Sequence, residues 1–247
     1  MLITSKKNEA VKKITSLKEK KYRELHGLFF VEGIKTVSEA LKFNLPVETL
    51  CGTEEMLQRF NFENKTAVSK EVYGYISDEV SPAGILAVIK IKKPVLEKTL
   101  DKSVLLDGIS DCGNLGTIIR TAAAAGYKQV FLINCADVYN PKTVRSSASG
   151  IFHADVYEIS CNDLEKIFKG VTLLAADVKG VNLFEFKKSL NKFCLCFGSE
   201  ANGLSPAVKS HAEHIISIPM EKSSESLNAA VAAGIFMYYF NQVTSNR

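Results

Sequence analysis

Asn114 and Arg120 are the two side chains of the segment 107–120 (DGISDCGNLGTIIR) whose types suit chemistry. The segment is predicted to contain the end of a strand, a turn with glycines and the start of a helix. Asn114 lies where the N-cap of this helix would be. Arg120 lies between Ile119 and an alanine run, on a helix that is predicted to be buried. An arginine there needs an anionic partner, either an internal carboxylate or a bound phosphate. Physical chemistry alone slightly favours the internal ion pair.

Residues 195–205 (LCFGSEANGLS) form a second group that suits ligand binding. An apolar strand is predicted to end at Gly198, and a polar loop that contains Glu200 follows it. Glycine permits close approach of a ligand to the backbone, and Glu200 is free to cap a helix or to bind a ligand. Ser205 as N-cap, with Pro206 at the first helical position, predicts the start of a helix.

Residues 216–240 (ISIPMEKSSESLNAAVAAGIFMYYF) predict a strand, a polar loop and a helix that is apolar on all sides. We expect Ser226 to cap this helix, with Leu227 and Asn228 in its first turn. A helix of this kind has to be buried all round. Either the core of the same chain or a second subunit would satisfy that requirement.

A regular alternation of strands and helices positions these three groups. After residue 103, strands are predicted at 104–106, 130–133, 155–159, 172–175, 193–197 and 214–218, and helices at 116–125, 162–168, 206–211 and 226–241. The alternation predicts an α/β/α domain built on a parallel sheet. Ligands of such sheets bind beyond the carboxyl ends of the strands, where all three groups lie. A doubly wound nucleotide-dependent enzyme is disfavoured, because neither G-x-G-x-x-G nor Walker spacing occurs.

The first 90 residues predict a separate, small α/β sandwich behind a basic amphipathic helix at 8–24. Its strands are predicted at 28–31, 47–51, 66–68 and 84–91, and its helices at 34–43, 54–60 and 70–76. The charged stretch 90–103, which contains Pro94, has the composition of a linker. We therefore predict two domains, 1–95 and 101–247.

Positive charge is concentrated at the start of the chain. The first 25 residues hold eight basic side chains against three acidic ones, whereas the net charge of the whole chain is +4. The basic side chains are Lys6, Lys7, Lys12, Lys13, Lys18, Lys20, Lys21 and Arg23. This distribution suggests a surface that binds a polyanion. A solvated helix that only keeps the protein soluble explains the charge equally well.

Composition and cysteine usage narrow the class of protein. No apolar run approaches the roughly 20 residues of a membrane span, and a lysine-rich stretch replaces a signal-peptide core, so we expect a soluble, cytoplasmic protein. The six cysteines contain no Cys-x-x-Cys pair, and the four histidines do not cluster with them. We therefore expect reduced thiols, with no metal site and no disulfide.

Taken in order, the three groups resemble the three motifs of the SpoU/TrmH branch of the SPOUT RNA methyltransferases. Residues 114–120 match N-x-G-x-I-x-R at every defined position, and residues 197–205 resemble G-x-E-x-x-G-L. Residues 218–220 (IPM) with 226–228 (SLN) resemble the third motif. The front domain more loosely resembles the ribosomal-protein-like RNA-binding domain often fused ahead of this enzyme, which favours RNA binding by the basic helix.

The resemblance implies a homodimer in which each C-terminal domain is a parallel-sheet α/β/α fold with a deep trefoil knot. It implies transfer of a methyl group from S-adenosylmethionine to a ribose 2′-hydroxyl of ribosomal or transfer RNA. The implied catalytic residues are Arg120, Asn114, Glu200 and Asn228, with Arg120 acting near the cofactor of the other subunit. The implied cofactor-binding residues are Gly198, Ile218, Leu227, Ser226 and Met220. The main rival is a non-catalytic RNA-binding protein, which would have no use for the four polar residues.

Overall fold

The computed structural model of the protein describes residues 2–77, 79–188, 190–221 and 226–245. Two separate sheets divide it into an N-terminal part (residues 2–90) and a C-terminal part (residues 102–245), and the stretch between Lys90 and Lys102 holds no helix or strand. None of the described helices is both long and apolar enough to cross a membrane. All six cysteines have free thiols.

The N-terminal part is a four-stranded sheet with helices on both faces. Its elements are α1 (Glu9–Ser16), α2 (Lys20–His26), β1 (Leu28–Glu32), α3 (Ile34–Lys42), β2 (Val47–Gly52), α4 (Glu54–Leu57), β3 (Lys65–Ala67), α5 (Lys70–Ile76) and β4 (Ile85–Lys90). The strand order is β1-β4-β2-β3, with β4 antiparallel to β1 and β2. The small α/β sandwich predicted from the sequence is thus present.

The basic segment is two helices, where the sequence predicted one helix over 8–24. The chain turns after α1, and Gly27 ends α2 with a positive φ of 63°, a conformation that glycine adopts without strain. Val11, Ile14 and Leu17 enter the core as predicted. Leu25 is 69% exposed, so including it in the apolar face was wrong.

The C-terminal part is a sheet of six parallel strands. Its elements are β5 (Lys102–Asp107), α6 (Cys112–Ala124), β6 (Gln129–Ile133), α7 (Pro141–Ser147), β7 (Asp155–Glu158), α8 (Leu164–Ile167), β8 (Thr172–Asn182), β9 (Phe193–Gly198), α9 (Pro206–His211), β10 (His214–Ser217) and α10 (Ala229–Ser245). The strand order is β10-β8-β9-β5-β6-β7. One core lies against α6 and α10 and another against α8 and α9, so both faces are covered as predicted.

Apart from shifts at the ends of α6 and α10, three elements of this part differ from the prediction. Helix α7 was missed, although Asn140 caps it and Pro141 opens it, which is a standard start signal. Strand β8 continues seven residues beyond Ala175, because its second half pairs with β10 after a register shift. The helix predicted at 162–168 is a 3-10 turn followed by the single turn of α8.

Arg23 joins the two parts of the molecule. Its side chain is 3% exposed and forms an ion pair with Asp137 of the C-terminal part, which is 14% exposed. The guanidinium also donates to the carbonyls of Leu17 and Lys18, at 2.6 and 2.7 Å. Arg23 is therefore not available to RNA, and counting it in the polyanion-binding surface was wrong.

Apolar contacts also join the two parts. The ring of Phe29 on β1 lies 4.7 Å from that of Tyr139, and Val144 of α7 is buried in the core of the N-terminal part. The unpredicted helix α7 is thus the surface on which the N-terminal sheet packs. The two parts are thus joined both by a buried charge pair and by an apolar contact.

We expect Asp137→Asn to lower the free energy of unfolding by about 3 kcal/mol, because it leaves a buried guanidinium without its counter-charge. Urea denaturation measures this change. Glu24→Gln is the matched control, since it removes the exposed ion pair with Lys20 and should cost less than about 1 kcal/mol. Equal effects of the two substitutions would contradict a structural role for the Arg23–Asp137 pair.

Candidate active site

Helix α6, which carries the first motif, begins about one turn earlier than the sequence predicted. Asp111, and not Asn114, caps α6, because its Oδ1 accepts the backbone N–H of Asn114 at 2.8 Å. That bond and the ammonium of Lys142 hold the pKa of Asp111 below its ordinary value. The capping role predicted for Asn114 was therefore wrong. Its side chain takes part instead in contacts with the other two motifs.

One carboxylate oxygen, Oε1 of Glu200, forms hydrogen bonds that connect the three motifs. Oε1 of Glu200 accepts from Nδ2 of Asn114 at 2.9 Å and from Nδ2 of Asn228 at 2.8 Å. It also accepts the backbone N–H of Ala229 at 3.2 Å, and the two asparagines bond to each other at 2.9 Å. We call these three side chains the Asn114–Glu200–Asn228 cluster. The structure thus brings together three of the four predicted catalytic residues.

Asn228 belongs both to this cluster and to the start of α10. Its Oδ1 accepts the N–H groups of Ala230 at 3.0 Å and Val231 at 3.3 Å, which is the pattern of an N-cap. The helix therefore begins at Ala229, and the capping role predicted for Ser226 was wrong. Residues 222–225 of the predicted polar loop lie outside the described residues.

A cavity of about 460 Å³ adjoins the cluster, and Glu200 forms part of its wall. The five residues predicted to bind a cofactor all line it: Gly198, Ile218, Met220, Ser226 and Leu227. Gly198 has no room for a side chain, because a Cβ there would lie 2.0 Å from the carbonyl carbon of Gly203. The wall is therefore formed by closely packed backbone at this point.

The wall also contains an ion pair that sequence reasoning missed. Asp177 and Lys209 line the cavity, and their side chains meet at 2.7 Å. The hydrogen bond from Lys209 holds the pKa of Asp177 below its ordinary value. No local motif marks this pair, because Asp177 lies in the unpredicted extension of β8. Within the described ranges, no three His, Cys, Asp or Glu side chains are grouped so that they could hold a metal ion.

Arg120 stands apart from the cluster and the cavity. It is exposed on α6, and no carboxylate of the described residues lies within 4 Å of its guanidinium. The internal ion pair that physical chemistry favoured was therefore wrong. The helix is buried on the face of Leu115, Ile118 and Ile119 and exposed on the face of Arg120.

Two glycines fix the position of the helix that carries Arg120. A Cβ on Gly116 would lie 2.4 Å from the carbonyl oxygen of Thr143, and one on Gly150 would lie 2.7 Å from Cα of Arg120. Helix α7 and the 3-10 helix Gly150–Phe152 therefore pack directly against the backbone of α6. The turn between them places Ala148 and Ser149 at positive φ values of 42° and 70°, which is uncommon for residues other than glycine.

We expect Gly116→Ala to lower the free energy of unfolding by about 1 to 3 kcal/mol, because the added methyl group has to separate α6 from α7. Gly74→Ala is the matched control. A Cβ on Gly74, inside α5, would meet no atom within 4 Å, so alanine should stabilise by up to about 1 kcal/mol. Denaturant unfolding of both variants measures the difference, and two changes of the same sign would contradict the packing argument.

Comparison with known proteins gives consistent matches for both parts of the chain. Residues 101–238 match the SpoU rRNA Methylase family, and residues 8–87 match the MRM3-like substrate binding domain. The 23S rRNA (guanosine(2553)-2′-O)-methyltransferase of Bacillus subtilis is 31% identical over 245 residues, covering 96% of this chain and 98% of the relative.

Solved structures agree with this match. An AdoMet-bound rRNA methyltransferase from Sinorhizobium meliloti has a TM-score of 0.89 at 26% identity, covering 98% of this chain and 97% of that one. A SpoU methyltransferase from Streptomyces viridochromogenes in complex with AdoMet has a TM-score of 0.85 at 27% identity, covering 96% and 98% of the two chains. The resemblance inferred from three short motifs is confirmed, and this chain belongs to the SpoU family of rRNA methylases.

Proposed function

We propose that this protein transfers a methyl group from S-adenosylmethionine to a ribose 2′-hydroxyl of ribosomal RNA. The observation that carries the proposal is the cavity that adjoins the Asn114–Glu200–Asn228 cluster and is lined by all five expected cofactor residues. Family membership and relatives that are 2′-O-methyltransferases of 23S rRNA support the choice of reaction and of substrate class.

The cavity fits the cofactor in size and in chemistry. Its volume of about 460 Å³ lies in the range of small-molecule sites, and the two glycines of its lining, Gly198 and Gly203, present main-chain groups to a ligand. Ile218, Met220 and Leu227 offer apolar contacts, and Ser226 a hydroxyl. S-adenosylmethionine supplies an already activated methyl group, so the residues of this chain have to align the acceptor rather than activate the donor.

The acceptor hydroxyl is oriented by Arg120 and by the cluster. A guanidinium does not lose its proton in proteins, so Arg120 acts by binding an RNA phosphate and positioning the ribose. Oε1 of Glu200 is occupied by three N–H donors, while the described residues offer Oε2 no hydrogen bond. We assign to Oε2 the role of accepting either the proton of the ribose hydroxyl or a hydrogen bond from that hydroxyl.

The active unit is a homodimer in which Arg120 serves the cavity of the partner subunit. Arg120 is exposed and does not line the cavity of its own chain. Helix α10, though apolar, leaves Val231 and Tyr238 53% and 56% exposed, contrary to the complete burial expected within one chain. Helices α6 and α10 lie side by side, since a Cβ on Gly234 of α10 would lie 3.7 Å from Cγ2 of Thr121, next to Arg120. A second subunit on this joint surface of α6 and α10 would bury it.

The C-terminal segment forms the trefoil knot of the family, and the protein works in the cytoplasm. The knot is supported by the path of the chain: β10 is an edge strand, yet α10 returns to pack against α6 and β9 in the middle of the sheet. The cytoplasm is supported by the six free thiols and by the ribosomal substrates of the relatives.

Residues 1–95 form the RNA substrate-binding domain and residues 101–247 the methyltransferase domain. The lysines at the start of the chain are partly neutralised: Lys12, Lys13 and Lys20 lie 2.8, 2.8 and 3.7 Å from glutamate oxygens. Exposed ion pairs of this kind are weak, so a phosphate of RNA can replace the glutamates.

We expect Arg120→Ala to abolish methyl transfer to 23S ribosomal RNA while leaving the affinity for S-adenosylmethionine within about twofold, since the proposed partner of Arg120 is an RNA phosphate and not the cofactor. Transfer of a labelled methyl group to unmodified RNA measures the first quantity, and calorimetry the second. Arg59→Ala, which also removes an arginine, is the control and should retain activity. Near-normal methylation by Arg120→Ala would refute the assigned role, and wild-type protein that binds RNA but not the cofactor would favour the non-catalytic rival.

Sedimentation should give twice the 27.1 kDa mass of one chain at micromolar concentration. Val231→Glu should convert this species to a monomer, because it places a charge in the proposed apolar interface. Val80→Glu, at a fully exposed valine of the N-terminal part, should leave the dimer intact. A wild-type monomer would refute the proposed interface.

A further inference from the structure

A cleft of about 520 Å³ lies between the two parts of the molecule, away from the cofactor cavity. One wall is the end of β4 and the stretch that follows it, with Lys90, Lys92 and Lys93. The opposite wall is built from the C-terminal part, with Tyr139 and Phe152. No motif of the sequence points to this cleft, because it exists only when the two parts are packed together.

The lining of the cleft combines positive charge with aromatic surface. The three lysines are exposed, and Asp155 is the one carboxylate among the lining residues, so the cleft carries an excess of positive charge. Phe29 and Tyr139 form a tilted ring pair in its lining. A nucleotide has the matching chemistry, since its phosphate pairs with ammonium groups and its base packs on aromatic side chains.

The cleft is connected to Arg120 by one short element. The 3-10 helix Gly150–Phe152 begins against the backbone of Arg120, where a Cβ on Gly150 would lie 2.7 Å from Cα of Arg120. The next two residues, Ile151 and Phe152, line the cleft. Because three residues of 3-10 helix advance about 6 Å, the backbone of Arg120 lies close to one wall of the cleft.

An exposed aromatic pair crosses the boundary between the two parts beside the cleft. The rings of Phe43 and His153 lie 4.4 Å apart, edge to face, and both residues are exposed. Leu45, two residues after Phe43, and Ala154, directly after His153, both line the cleft. Exposed rings at this place extend the surface on which unpaired bases can stack.

We propose that this cleft binds a nucleotide of the substrate RNA that neighbours the methylated one in space. Lys90, Lys92 and Lys93 contact its phosphates, and its base lies against the aromatic wall of Tyr139 and Phe152. The proposal rests on the proposed function, because it assigns the cleft to the RNA that is methylated. It makes the contact between the two parts of the chain a component of substrate recognition.

The test compares two triple variants of the full-length protein. The cleft variant carries Lys90→Ala, Lys92→Ala and Lys93→Ala, and the control carries Lys166→Ala, Lys169→Ala and Lys187→Ala, three exposed lysines that do not line the cleft. With unmodified 23S ribosomal RNA transcript, the cleft variant should raise KM at least tenfold while kcat and the affinity for S-adenosylmethionine change less than twofold. Its binding should also depend less steeply on salt, by about 0.7 in the logarithmic slope for each phosphate that a removed lysine had neutralised. The control should match the wild type.

A cross-linking measurement checks the location without requiring activity. Transcript that contains 4-thiouridine should cross-link on irradiation to Tyr139, Phe152 or neighbouring residues of the cleft, and the cleft variant should lose these products. Unchanged KM and salt slope, cross-links confined to other surfaces, or a changed oligomeric state of the cleft variant would each overturn the proposal. Wild-type protein that forms the cleft cross-links but transfers no methyl group would instead overturn the proposed function and retain the cleft.

Discussion

One oxygen atom of Glu200 holds the arrangement on which the site depends. It accepts N–H groups from the first turn of α6, from the N-cap of α10 and from the backbone of Ala229. Asn114 follows β5, Asn228 and Ala229 follow β10, and Glu200 itself follows β9, so this one contact joins the segments beyond three strands. Charge-assisted hydrogen bonds are stronger than neutral ones, so a carboxylate is suited to fixing three loops at once. The same contact fixes both the start of α10 and the part of the cavity wall that contains Glu200.

The sequence predicted the strands of the C-terminal part well, because strands buried on both faces are continuous apolar runs between turn signals. It also predicted six of the residues that line the cavity, namely Gly198, Glu200, Ile218, Met220, Ser226 and Leu227, but only through the combined resemblance of three motifs. The individual roles were less accessible. Asp111 and Asn114 are both good caps, and only the backbone geometry shows that Asp111 takes the position. Asn228 displaced Ser226 in the same way.

Arg120 shows why burial is difficult to predict from composition alone. Apolar neighbours on both sides suggested a buried helix, yet the helical period places Ile118 and Ile119 inward and Arg120 outward. Arg23 shows the opposite error. In the sequence it is one of eight basic residues near the N-terminus, while in the structure its partner lies 114 residues away. Long-range partners of this kind leave no periodic signal, so neither the ion pair nor the cleft between the two parts could be inferred from the sequence.

The Arg23–Asp137 pair also limits how this protein can be recombined with its relatives. The two residues lie in different parts of the chain, and each would be a buried, uncompensated charge without the other. Consider a chimaera that takes residues 2–90 from a relative with an apolar residue in place of Arg23. In it, Asp137 of the other half would lack its positively charged partner. The same reasoning applies over evolutionary time: the two positions have to be exchanged together or pass through a weakened intermediate. The two halves look modular in sequence, but this ion pair makes the stability of each depend on the other.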